Sequence, residues 1–191
     1  TLFRSVKYLA KEYDVDGFRF DLMGLIDTKT MSELTTELRN EIDPSLIIYG
    51  EPWQAGGSAL PQEQQTLKGS QKGKGFVVFN DNFRNAIKGD SDGAGQGFAT
   101  GASGKEGAIV AGVKGSVDDF TDSPSETINY VTAHDNLNLW DKIIKAAGKE
   151  KAAGFLEMRD GVLTGEDANN YSSVQEAVEK KAKPYSVITE T

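Results

Sequence analysis

Short apolar runs alternate with helically spaced segments over residues 2–147, and that rhythm admits few folds. Val15, Phe18, Phe20 and Leu22 mark a strand over 15–22. Leu46-Ile47-Ile48-Tyr49 and Phe76-Val77-Val78-Phe79 are almost wholly apolar, as expected of strands buried on both faces. A fourth run covers 128–133. Helical spacing appears over 2–13, through Leu2, Phe3, Val6, Leu9, Ala10 and Tyr13. It returns over 28–42 through Met31, Leu34, Leu38 and Ile42, then over 82–88 and 137–147. Asp27 or Thr30 is the expected cap of the second helix, Thr30 and Glu33 have capping-box spacing, and Pro44 stops it. Strands alternating with helices predict an α/β fold with a parallel sheet. A doubly wound sheet and part of an eight-stranded barrel both satisfy that pattern. The expectation is part of a single domain over 1–191, with loop excursions near 89–127 and 148–186 and a helix at 173–182.

Composition narrows the chemistry. Among 191 residues, 21 Lys and Arg face 29 Asp and Glu, a net charge of −8 that argues against a nucleic-acid partner. No apolar stretch reaches the ~18 residues that span a bilayer, so no membrane insertion is expected. There is no cysteine, and His134 is the single histidine. Thiol nucleophiles, disulfides, iron–sulfur clusters and a Cys/His zinc site are excluded, and any imidazole must be His134. What remains is carboxylate chemistry. The chain begins at Thr1 within a helical pattern and has no basic-then-apolar leader, so its ends read as cut from a longer parent.

Carboxylates end three of the strands: Asp21 in Gly17-Phe18-Arg19-Phe20-Asp21-Leu22-Met23-Gly24, Glu51 in Tyr49-Gly50-Glu51-Pro52-Trp53, and Asp135 in Val131-Thr132-Ala133-His134-Asp135-Asn136. The C-terminal edge of a parallel sheet is where α/β active sites form. One such carboxylate is more readily a helix cap or salt-bridge partner; three together point to function. Arg19 and Asp21, two apart on a strand, share a face, so the guanidinium is expected to lower the Asp21 pKa, which suits a nucleophile. Glu51, on an apolar strand beside Trp53, is expected to be desolvated and protonated, which suits a general acid. Two carboxylates with separated pKa values are the signature of glycoside hydrolysis, and a retaining enzyme spaces them ~5–5.5 Å apart.

GFRFDLMG, YGEPW and VTAHDN resemble three of the four signature regions of the α-amylase family of glycoside hydrolases, and more narrowly the type I pullulanases. FNDNFRNAIKG (79–89) and LNLWDK (137–142) are similar to pullulanase segments, and the resemblance covers roughly 1–145. It implies part of a (β/α)8 TIM barrel, about strands four to seven with their helices. Asp21 would be the nucleophile, Glu51 the general acid and base, and Asp135 the third carboxylate. Arg19 would orient Asp21; His134, and more weakly Trp53 and Asn136, would contact substrate. The implied partner is an α-glucan polysaccharide or oligosaccharide, cleaved at α-1,6 branch linkages as in pullulan or amylopectin. An α-1,4-acting amylase or neopullulanase is the alternative, and an inactive α-glucan-binding relative is the alternative of another class. No cofactor is required and no catalytic metal is implied, with room for a structural calcium in the parent. Polymeric substrates imply a secreted or cell-surface protein, with a cytoplasmic one as the alternative. The first signature region is not present, so the isolated segment is expected to be inactive and poorly folded.

Three weaker patterns compete. Gly89-Asp90-Ser91-Asp92-Gly93 matches a nucleophile elbow, but a helix precedes it and a loop follows. Gly69 to Gly75 resembles a phosphate loop with one spacer too few and no Ser or Thr after Lys74. Asp90, Asp92, Asp118, Asp119 and Asp122 lack EF-hand spacing for calcium.

Overall fold

Helix α1 (Leu2–Tyr13) leads into strand β1 (Gly17–Phe20), helix α2 (Thr28–Glu41) and strand β2 (Ile47–Gly50), then β3 (Val77–Asn80) and β4 (Thr127–Asn129). This computed structural model describes residues 1–147, 156–159, 162–163, 165–173, 176–177, 180 and 187–190. They divide into two compact units: Thr1–Phe83 with Val110–Tyr130, and Arg84–Ile109 with the described part of Val131–Thr191.

In the first unit all four strands are parallel and neighbour one another in chain order, β1-β2-β3-β4. A doubly wound sheet reverses its strand order at a switch point, whereas a barrel keeps it. The fold is therefore α/β, part of a (β/α)8 barrel. Val6 and Ala10 of α1 and Met31, Leu34 and Leu38 of α2 pack on Ile48 and Val78, with Leu46, Phe76 and Phe120 completing the core. The opposite face carries Arg19, Tyr49, Val77 and Phe79, which the parallel register aligns. Ile47 on that face is 53% exposed, where strands buried on both faces were expected. In a closed barrel it is the interior, which four strands do not enclose.

Asp27 caps α2: its carboxylate accepts from the Thr30 N–H at 2.8 Å and the Thr30 hydroxyl at 2.6 Å. Thr30 is thus inside the helix, and the Thr30–Glu33 capping box does not form. These donors hold the Asp27 carboxyl below its usual range, the Thr30 hydroxyl most strongly. The crossover from β2 to β3 carries no α-helix, only a 3-10 turn at Gln62–Gln64. It is tied down where Thr66 donates twice to the Ile26 carbonyl.

After β3, Asn80 starts α3 (Asp81–Lys88) by accepting the Phe83 N–H at 3.0 Å. The same buried amide donates to Ser116 and to Asn129 on β4, both at 2.9 Å. The expected excursion at 89–127 contains a helix, α4 (Glu106–Val113). Its apolar run was masked by flanking glycines. One of these, Gly112, is required: a Cβ there would lie 2.3 Å from the Phe83 ring. Strand β4 stops at Asn129, short of the expected 133.

In the second unit, α5 (Leu139–Ala147) packs Ile143 against Leu139, Trp140 and Ile144. Its wholly buried Lys142 donates to Asp90 and to the Gly93 carbonyl, and so fastens the 90–95 loop to the helix. Further on, β5 (Leu156–Arg159) pairs antiparallel with β6 (Val162–Leu163) and parallel with β7 (Val187–Glu190), with a short helix α6 at Gly165–Asn170. These strands were not expected, although Asp160-Gly161 is a sequence signal for a two-residue hairpin. The helix expected at 173–182 lies partly outside the described residues, as does most of the 148–186 excursion. Among the described residues no helix is long and apolar enough to cross a membrane.

Candidate active site

Asp21 and Glu51 are the first residues beyond β1 and β2, and the register Phe20↔Gly50 sets them side by side. An oxygen of one carboxylate lies within 4.8 Å of an oxygen of the other. Their surroundings differ. The Asp21 side chain is 60% exposed, whereas Glu51 is 3% exposed, the burial its apolar strand led one to expect. Arg19 forms an ion pair with Asp21, as the spacing predicted. The structure adds a second contact: Arg19 Nη2 donates to Glu51 Oε1 at 2.7 Å. One guanidinium therefore bridges both carboxylates, which its fork geometry permits. The other Glu51 oxygen, Oε2, accepts the Leu22 N–H at 2.8 Å. Burial was the one influence on Glu51 legible in the sequence; the two donors are tertiary.

Arg19 is itself supported. Its guanidinium carbon lies 5.5 Å from the centre of the Phe79 ring. Phe79 meets Tyr49 edge-on at 5.5 Å and Tyr130 at 4.9 Å. Tyr49 and Phe79 come from neighbouring strands on the Arg19 face, and Tyr130 directly follows β4. Their alternation in Tyr49 and Val77-Val78-Phe79 could have identified them once the register was known.

Trp53 is half-buried, and its carbonyl accepts the Gly24 N–H at 3.1 Å. A Cβ on Gly24 would lie 2.5 Å from that oxygen, so the last glycine of GFRFDLMG is there to let the YGEPW loop approach. His134, Asp135 and Asn136 lie in the second unit, on the segment between β4 and α5. His134 Nε2 is 3.5 Å from Asp135 Oδ1, and both side chains are more than half exposed, which removes the reading of His134 as a core residue. With β4 ending at Asn129, this trio sits in a loop and not at the strand end itself. Asn138 then caps α5, accepting the Asp141 N–H at 2.8 Å.

The competing patterns have structural explanations. Ser91 follows α3, not a strand, and its hydroxyl donates to the adjacent Asp92. Asp90 is held ionised below the usual carboxylate range, chiefly by Lys142. In the loop from Gly69 to Gly75, the Gly73 N–H donates to Glu126, so a carboxylate already occupies that donor.

No family model matches the chain. It is 37% identical to the pullulanase of Bacillus subtilis (strain 168) over 76% of its own length and 21% of the relative's. It is 35% identical to pullulanase A of Streptococcus pneumoniae serotype 4, over 86% of the chain and 13% of the relative. Among solved structures, the pullulanase from Bacillus acidopullulyticus matches with a TM-score of 0.76 and 48% identity, covering 80% of this chain and 19% of that one. A pullulanase complexed with maltotriose from Anoxybacillus sp. LM18-11 matches at TM-score 0.71 and 41% identity, over 76% of this chain and 21% of that one. The chain thus spans about a fifth or less of the curated relatives it matches.

Proposed function

This chain is homologous to pullulanases, glycosidases of the α-amylase family, and on that premise we propose that it supplies catalytic carboxylates for retaining hydrolysis of α-1,6-glucosidic linkages in branched α-glucans. Asp21 attacks the anomeric carbon while Glu51 passes its proton to the departing glycosidic oxygen. The C–O bond to the leaving sugar breaks as the bond to Asp21 forms. Water then attacks the same carbon, gives its proton to Glu51, and releases Asp21. Arg19 orients both carboxylates. By resemblance, Asp135 and His134 hold sugar hydroxyls, and Trp53 and Asn136 make further substrate contacts. Residues 1–191 are read as part of one catalytic barrel domain.

The observation that carries the reading is the pair itself. An exposed carboxylate and a buried one, within 4.8 Å and bridged by one arginine, end adjacent parallel strands. That closeness supports direct nucleophilic attack, the short spacing of a retaining pair, over the wider spacing of an inverting one. Neither step calls on a cofactor. The maltotriose bound by the Anoxybacillus relative supports an oligosaccharide ligand. Polymeric α-glucans outside the cell favour a secreted or surface location.

The test is to give pullulan to the full-length protein and separate the products, with Glu51→Gln as control. Maltotriose, absent with the variant, is the expected result. Panose means cleavage of α-1,4 linkages. No released sugar, with pullulan still bound, returns the protein to a binding role.

A further inference from the structure

Leu22 has φ 45° and ψ 47°, a left-handed conformation that costs a large apolar side chain energy. Among the described residues the other non-glycine positions with positive φ are Asp14, Ser116 and Asn136, small polar residues that tolerate it better. The cost at Leu22 has a structural counterpart. The kink turns its N–H onto Glu51 Oε2 at 2.8 Å. It also starts the 3-10 turn Met23–Leu25, whose Met23 is wholly buried and whose Gly24 N–H reaches the Trp53 carbonyl. From the other side, the Glu51 N–H donates to the Phe20 carbonyl at 3.0 Å. Glu51 is thereby held through its backbone and through one carboxylate oxygen by the residues on either side of Asp21.

We infer that the left-handed kink at Leu22 is a positioning device for Glu51: its N–H fixes the carboxyl that donates and recovers the proton. Backbone strain retained beside reacting groups is a recurrent way to aim a donor. Each oxygen keeps a second lone pair for the substrate or water. Within this unit the charged groups facing Glu51 are Arg19, on Oε1, and Asp21, with a carboxylate oxygen within 4.8 Å. The inference rests on the reading of Glu51 as acid and base.

The experiment replaces Leu22 in the full-length protein by the hydroxy acid with the same side chain, which turns the N–H into an ester oxygen. kcat and KM on pullulan are then measured separately. A group that only positions the proton donor acts on the chemical step, so kcat is expected to fall roughly tenfold while KM stays within about twofold of wild type. Leu22→Gly keeps the N–H and removes the cost of the left-handed φ, so its kcat stays near the wild-type value. Leu22→Val carries a branched Cβ that opposes the kink, so its kcat falls with the ester's; it serves if the ester protein does not fold. An unchanged kcat in both the ester and Val proteins overturns the inference. Glu51→Gln separates the two levels. If that variant is inactive while the kcat of the Leu22 variants is unchanged, only the role of Leu22 is lost; if it still releases maltotriose, the role of Glu51 falls as well.

Discussion

Removing the guanidinium of Arg19 tests the bridged pair most directly. Arg19 donates to a buried carboxylate at 2.7 Å and to an exposed one, and lies over the Phe79 ring. A hydrogen bond between charged groups at a buried site is worth about 1.5–3 kcal/mol. The Asp21 contact, open to solvent, adds about 0–1 kcal/mol after screening. Arg19→Met keeps the stem against Phe79 and forfeits both bonds, so about 2–4 kcal/mol is lost from the orientation of the two carboxylates. At about 1.4 kcal/mol per decade, kcat/KM falls roughly a hundredfold. Arg19→Lys is the sharper variant. A single ammonium cannot reproduce the two-pronged contact, so a loss of about tenfold is expected although the charge is retained. The assay is kcat/KM on pullulan with the full-length protein, beside the thermal midpoint of each variant. A lysine variant within threefold of wild type would refute the idea that one fork must hold both groups.

Two further outcomes follow from the same unit. Gly24→Ala drives a Cβ to 2.5 Å from the Trp53 carbonyl, with backbone on both sides; a loss of about 2–3 kcal/mol is expected in denaturant unfolding, and an unchanged midpoint would mean that the two loops can separate freely. Asp27→Ala removes the cap of α2 and costs about 1 kcal/mol at neutral pH. Because the folded carboxyl is held low by Thr30, the cap's contribution is complete above the ordinary carboxylate value and is lost as pH falls through the lower folded value. The gap between wild type and variant should therefore close in acid, and a gap independent of pH from 7 to 2 would contradict the assignment.

The sequence by itself located most elements of the first unit and α5 of the second. Apolar runs and helical spacing located β1, β2, β3, α1, α2 and α5 to within a few residues, because burial on a regular backbone repeats with the period of that backbone. It also singled out Arg19, Asp21 and Glu51, since each lies at or within two residues of a strand end. Strand order could not be read this way: parallel runs look alike in a barrel and a doubly wound sheet, and only pairing distinguishes them. Helix α4 was hidden because glycines interrupt it, and one of them, Gly112, fits a partner, Phe83, that is distant in sequence. Strand β7 pairs with β5 across a long stretch of chain and left little local trace, whereas β5 and β6 meet as a hairpin whose local signal is Asp160-Gly161. Tertiary structure alone decided what surrounds Glu51. Burial follows from the residues beside it, but Arg19 and the Leu22 N–H reach it across the gap between two strands. Nothing about a leucine announces a left-handed backbone; that conformation is imposed by the contacts it completes.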